Sequence, residues 1–186
     1  MSTETRPTPT GSQTVGPYFR IGLEYLLDRT PELANPEATI EIHGRVIDRD
    51  GNPAPDALLE FWSSDGARLS NSSIPDETGF PDGFRRASTD DAGSFAVSLR
   101  RPACLPTDER DTQAPHMLVL IFARGLLRHL ISRVYFECEP ANESDPVLLA
   151  VPTGRRRTLI ARCEGQNRFH WDVILQGADE TVFFAW

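Results

Sequence analysis

Apolar and polar residues alternate with a period of two along much of this chain, and that period predicts β-strands. Ile40, Ile42 and Val46 share one face of a run beginning at Thr39, while Glu41, His43 and Arg45 share the other. The run ends in Asp48-Arg49-Asp50-Gly51-Asn52-Pro53, where Asp side chains can bond nearby backbone, Gly accepts positive φ and Pro fixes φ. Leu58 to Trp62 predicts a second short strand. From Gly93 to Leu99, Phe95, Val97 and Leu99 point one way and Ser94, Ala96 and Ser98 the other. Met117 to Phe122 is apolar throughout, which predicts a central strand buried on both faces. Further strands are expected at Ile131 to Glu137, Thr158 to Ala161 and Phe169 to Leu175, the last with Phe169, Trp171, Val173 and Leu175 inward.

Turn-rich segments separate these runs, and residues 63–93 and 101–115 read as long loops without a regular period. Many short strands and no long amphipathic helix predict an all-β fold, a β-sandwich with long loops. Residues 1–17 are rich in Thr, Pro, Gly and Ser and show no strand or helix period, the composition of an arm that is flexible in isolation or ordered only by a partner. Tyr18 to Leu27 permits a short helix or an extended packing segment, with Gly22 weakening the helix. The expected organisation is an N-terminal arm over residues 1–38, contacting a partner, and a sandwich domain over 39–186. The closing Thr181-Val182-Phe183-Phe184-Ala185-Trp186 carries rings that need a covering surface, so a docked tail is expected.

Charge narrows the possible partners. A formal charge of -8 and a pI near 5.0 leave no basic face for nucleic acid or an anionic membrane. No run of apolar residues is long enough to cross a bilayer as a helix, and no apolar stretch follows a basic one at the N-terminus, so neither membrane spanning nor export is expected. Cys104, Cys138 and Cys163 are odd in number and lack CxxC spacing, which reads as reduced thiols in a cytoplasmic protein. Neither the nucleophile elbow GxSxG nor a glycine-rich phosphate loop occurs. His43, His116, His129 and His170 are never two or four apart, so no local histidine pair binds a metal, and His43 and His170 read as surface or hydrogen-bonded side chains. Asp108, Glu109 and Asp111 read as a solvated acidic cluster. Arg124, at the exit of the most apolar strand, is the best ligand-binding candidate, because a guanidinium can grip a carboxylate through two parallel hydrogen bonds. Solvation at the surface is the plain alternative.

A set of short motifs then adds a resemblance. Ser12-Gln13-Thr14-Val15-Gly16-Pro17-Tyr18-Phe19, His43-Gly44-Arg45-Val46-Ile47-Asp48, Glu60-Phe61-Trp62, Thr89-Asp90-Asp91-Ala92-Gly93, Ala114-Pro115-His116-Met117, Phe122-Ala123-Arg124-Gly125, Arg133-Val134-Tyr135-Phe136 and the tail from Phe169 to Phe184 together resemble the intradiol ring-cleaving dioxygenase family. Each motif is weak alone; the ordered set spans nearly the whole chain.

The resemblance implies a sandwich of the intradiol dioxygenase type. Catalytic subunits of that family hold a non-haem ferric ion with two tyrosines and two histidines, the histidines from a His-x-His on a strand. At the matched positions this chain has His116 and then Leu118. The expected tyrosines would fall near Leu105 and around Ser70 to Ser73, where there are none. The resemblance therefore implies an iron-free α-type subunit with no catalytic residue and no metal ligand of its own. The Fe(III) would belong to an iron-bearing β subunit, joined with this chain in an αβ hetero-oligomer. Thr14, Gly16 and Pro17 on the arm, with Arg124, would line the partner's substrate pocket. The implied reaction is cleavage of a small aromatic acid, 3,4-dihydroxybenzoate, with O2 to 3-carboxy-cis,cis-muconate. Arg124 would neutralise the ring carboxylate or hold arm and pocket together, and both roles stay open at this point. A subunit for another catechol and an assembly-only sandwich are the rival readings.

Overall fold

Strand β1 (Thr39–Ile47) buries Ile40, Ile42, Gly44 and Val46 and turns Glu41, His43 and Arg45 outward, as its alternation predicts. The computed structural model that contains it describes residues 10–27, 39–63, 83–107 and 112–185. The elements that follow are β2 (Leu58–Ser63), β3 (Phe84–Ser88), β4 (Ser94–Arg100), β5 (Leu105–Pro106), β6 (Thr112–Gln113), β7 (His116–Phe122) and β8 (Leu130–Phe136). Short helices α2 (Pro146–Ala150) and α3 (Thr153–Arg156) lead into β9 (Ile160–Gly165), β10 (Arg168–His170) and β11 (Val173–Ile174). Helix α1 (Pro17–Leu27) precedes them all.

The strands form two layers. One runs β4–β1–β10–β9, with β11 on the far end of β1; the other runs β3–β2–β7–β8. The layers join along one seam, where β8 and β9 pair in parallel at Tyr135↔Ile160 and Phe136↔Ala161. Ile40, Ile42, Phe95, Val97, Leu99 and Phe169 meet Leu59, Phe61, Val119, Ile121, Val134 and Phe136 between them. The Phe61 and Phe95 rings lie 6.1 Å apart across the core, and Phe136 and Phe169 lie 5.0 Å apart. Each such ring removed from water contributes about 1.5–3 kcal/mol, which offsets the ordering of these short strands. The fold is therefore the all-β sandwich that the sequence predicts.

Three local expectations change. The long connection over 63–93 contains β3, an edge strand paired only with β2; its arginines mask the strand, and Arg86 is neutralised by Glu60 directly opposite. Strand β7 is central, between β2 and β8, yet only Met117, Val119 and Ile121 join the core, while Leu118, Leu120 and Phe122 on the other face stay half-exposed. Thr158 lies in a 3-10 turn rather than a strand, and β9 starts at Ile160. The tail docks as expected. Phe184 donates its N–H to the Ile131 carbonyl at 2.8 Å, and Ser132 Oγ donates to the Val182 carbonyl at 2.8 Å. Trp186, the Ser70 to Ser73 segment and the Asp108, Glu109 and Asp111 cluster lie outside the described residues.

Candidate functional site

The chain leaves β7 through Ala123-Arg124-Gly125-Leu126, a tight turn closed by the Leu126 N–H on the Ala123 carbonyl at 3.2 Å. Gly125 sits at φ 90°, a conformation that a side chain at this turn position resists. The turn leaves the Gly125 N–H pointing outward, and Thr14 Oγ1 of the arm accepts it at 2.8 Å. Two residues later Gly16 ends the extended arm, its carbonyl accepting the Phe19 N–H at 3.0 Å, and Pro17 opens α1 at the first helical position, where its missing N–H costs nothing. Phe19 then packs on Phe122 with ring centroids 5.2 Å apart. Thr14, Gly16, Pro17 and Arg124 thus converge on the exit of β7, and all four are exposed.

Asp56 ties this corner together, and sequence reasoning missed it. Its carboxylate accepts Arg20 Nη1 at 3.1 Å and lies 3.5 Å from Arg124 Nη2. Arg124 is 53% exposed, so Asp56 orients its guanidinium without enclosing it. Asp56 adopts φ 61°, which Asp tolerates better than most residues. The turn composition that follows β1 ends at Pro53, and the residue types beyond it do not mark the electrostatic use of Asp56. Beside the corner lies a groove of about 620 Å³, bounded by Gln13 and Val15 of the arm, Phe122, Leu126 and His129 after β7, and Phe183 of the tail.

His116 and Leu118 lie toward the opposite end of β7, roughly 26 and 20 Å along the chain from Arg124 at the usual rise per strand residue. His116 is buried, its Nδ1 2.8 Å from the Ala114 carbonyl and its ring 5.2 Å from that of Tyr135. Leu118 faces Arg133 in the β7–β8 register, and Leu105, in β5, is half-buried and aliphatic. Around His116 the polar groups satisfy one another. Asp145 is fully buried, and its carboxylate accepts the N–H groups of Ala114, Val147 and Leu148 and the Tyr135 hydroxyl. Arg133 donates to Gln113 at 2.8 Å and to the Tyr135 oxygen at 3.3 Å. Burial raises the Tyr135 phenol well above its ordinary value, so it stays protonated.

Burial also pushes the His116 imidazole from 6.5 down to about 4. Between those values the unfolded chain takes up a proton that the folded chain refuses, so folding free energy falls as pH drops through this window. The full loss attributable to His116 is about 3 kcal/mol. In His116→Gln, urea unfolding measured from pH 7 to pH 4 is expected to lose this part of the pH slope. An unchanged slope would show that His116 does not carry it.

Comparison with known proteins places this architecture. A family model described as Dioxygenase matches residues 16–177. The chain belongs to the intradiol ring-cleaving dioxygenase family. It is 43% identical to the protocatechuate 3,4-dioxygenase alpha chain of Burkholderia cepacia, over 94% of this chain and 96% of that one. It is 26% identical to the protocatechuate 3,4-dioxygenase beta chain of the same organism, over 76% of this chain and 66% of that one. Among solved structures, catechol 1,2-dioxygenase from Pseudomonas arvilla superposes with a TM-score of 0.60 at 19% identity, covering 79% of this chain and 55% of that one, a likeness of fold.

Proposed function

We propose that this chain is the iron-free α subunit of a hetero-oligomeric dioxygenase that cleaves 3,4-dihydroxybenzoate with O2 to 3-carboxy-cis,cis-muconate, and that it forms one wall of its partner's substrate pocket. The observation that carries this reading is the Thr14 to Gly125 hydrogen bond, which joins the arm to the turn bearing Arg124. The alpha chain relative, matched nearly end to end, supplies the reaction and substrate class. The beta chain relative supplies the kind of partner, a related sandwich. The residues at the described ligand-matched positions do not fit a ferric ion. Leu118 and Leu105 are aliphatic, and among the described residues the cluster of His, Cys, Asp and Glu close enough to hold an ion does not include His116. Iron, and the oxygen chemistry it supports, belongs in this reading to the partner.

The roles left to this chain are binding and positioning. Arg124 offers a charged fork to the carboxylate of an aromatic acid, and Asp56 keeps that fork aimed. Gly16 and Pro17 let backbone approach a flat ring without side-chain bulk. Tyr18, Ile21 and Tyr25 stand exposed on α1 at spacings of three and four, Tyr18 at 81%, an apolar stripe suited to burial against a partner.

Gly16 gives a clean test. A Cβ added there meets nothing within 4 Å in this chain. Gly16→Ala is therefore expected to leave the melting temperature of the assembled enzyme unchanged and to lower kcat/KM by about tenfold or more, because a methyl group intrudes on the ligand's side of the wall. Unchanged kcat/KM would favour a sandwich used only for assembly.

A further inference from the structure

On the outer face of the β4–β1–β10–β9 layer, three adjacent strands bring together side chains that are far apart in sequence. His43 on β1 and His170 on β10 stand directly opposite in a parallel register. β10 pairs antiparallel with β9, His170 opposite Arg162, and a register shift between Arg168 and Phe169 leaves Glu164 out of the ladder, its carboxylate turned to His43. Close backbone approach fixes this spacing. A Cβ on Gly44 would lie 1.9 Å from the Trp171 carbonyl oxygen, and the Trp171 N–H donates to the His43 carbonyl at 2.8 Å. His43 Nε2 lies 3.1 Å from Glu164 Oε2, and His170 Nδ1 lies 3.9 Å from Glu164 Oε1. The ligand atoms of the three residues all fall within 4.8 Å of one another.

We propose that His43, Glu164 and His170 form a binding site for a divalent transition-metal ion of the zinc class. Two imidazoles and one carboxylate suit zinc and its neighbours and disfavour magnesium and calcium, which take oxygen ligands. Tetrahedral coordination at about 2.1 Å from each ligand atom requires separations of about 3.4 Å. The His43 to Glu164 pair already meets that, and rotation of the His170 and Glu164 side chains closes the rest.

An independent observation is the support behind His170. Its Nε2 lies 3.1 Å from Asp172 Oδ2, and Asp172 Oδ1 is itself fixed by the Arg45 backbone N–H at 2.9 Å. A carboxylate on the far nitrogen holds the tautomer whose Nδ1 lone pair is free to bind a metal, the arrangement that metal-binding histidines commonly use. Arg162 donates to Glu164 Oε1 at 2.9 Å, which holds the carboxylate in place beside the two imidazoles. Arg162 is also a repulsive neighbour for a cation; its side chain is 64% exposed, and solvent screens it. The ion would staple β1, β10 and β9 together and leave a fourth position for water.

Equilibrium dialysis of the purified holoenzyme against Zn2+, with zinc and iron counted separately by plasma mass spectrometry, tests this site. The wild type is expected to bind about one zinc per copy of this chain beyond the iron. His43→Ala and His170→Ala should each remove that zinc, and Asp172→Asn should weaken it by about 10–100-fold. Glu164→Gln keeps the side-chain shape and should also weaken binding, while His129→Ala should bind as wild type. Thermal unfolding in chelator identifies any variant that has failed to fold, and Glu164→Gln then decides. Absence of stoichiometric zinc in the wild type, or equal zinc in the wild type and the folded His43, His170 and Glu164 variants, would overturn the proposal. Either result leaves the iron count, and with it the proposed function, untouched.

Discussion

Asp145→Ala is expected to destabilise the protein by about 3–5 kcal/mol, a large share of what a domain of this size possesses. Asp145 is fully buried between the start of α2 and the β7–β8 pair. Its Oδ1 caps α2 by accepting the Val147 and Leu148 N–H groups at 2.9 and 2.8 Å. Loss of such a cap alone costs about 1 kcal/mol. The same carboxylate accepts the Ala114 N–H at 2.8 Å and the Tyr135 hydroxyl at 3.2 Å. Removal strands those two buried donors as well, at about 1–3 kcal/mol for each group left without a partner. Asp145→Asn should cost roughly half as much, because its amide oxygen can still cap α2 while its NH2 opposes the Ala114 donor. Urea denaturation at neutral pH measures both. A loss under about 1 kcal/mol for the alanine variant would mean that water or rearrangement replaces the carboxylate.

Arg124→Ala should act on catalysis instead of stability. Its ion pair with Asp56 is long and solvent-exposed, so its loss costs at most about 1 kcal/mol. A charge-assisted hydrogen bond to a substrate carboxylate contributes about 1.5–3 kcal/mol, which corresponds to a KM rise of about 10–100-fold for 3,4-dihydroxybenzoate. The comparison substrate is a catechol without the carboxylate, for which KM should barely move. Equal increases for both substrates would assign Arg124 to holding the arm, through Asp56 and Arg20, and not to charge recognition. Asp56→Asn separates the same roles, because it frees both guanidiniums while leaving Arg124 in place.

The alternation in β1 and β4 was legible because one face of each strand is buried and the other wet, so a period of two survives in the residue types. β3 was not legible. Phe84-Arg85-Arg86-Ala87-Ser88 carries two guanidiniums, and its strand rests on a backbone ladder with β2 in which Arg86 meets Glu60, a pairing that residue types alone do not announce. Continuous apolarity in β7 overstated burial, because Leu118, Leu120 and Phe122 lie on the half-covered outer face. At the corner where the chain leaves β7, Arg124 stood out from its position in the sequence, whereas Thr14, Gly16 and Pro17 came from the family resemblance; residue spacing alone could not join the arm to a turn 111 positions away. Asp56 and Asp145 escaped notice because a lone Asp in a turn looks the same whether it is solvated or clamps two elements. His43, Glu164 and His170 escaped for a related reason: a sheet assembles ligands by register, and those separations are invisible to local motifs.

The most direct measurement counts iron and oxygen uptake in this chain alone, in an iron-bearing β-type partner alone, and in the two purified together. The expected result is a chain that by itself holds no stoichiometric iron, lacks the visible tyrosinate-to-iron colour and consumes no O2 with 3,4-dihydroxybenzoate. The pair should carry iron in proportion to the partner and turn over faster than the partner alone. Stoichiometric iron and oxygen uptake by this chain alone would contradict the assignment.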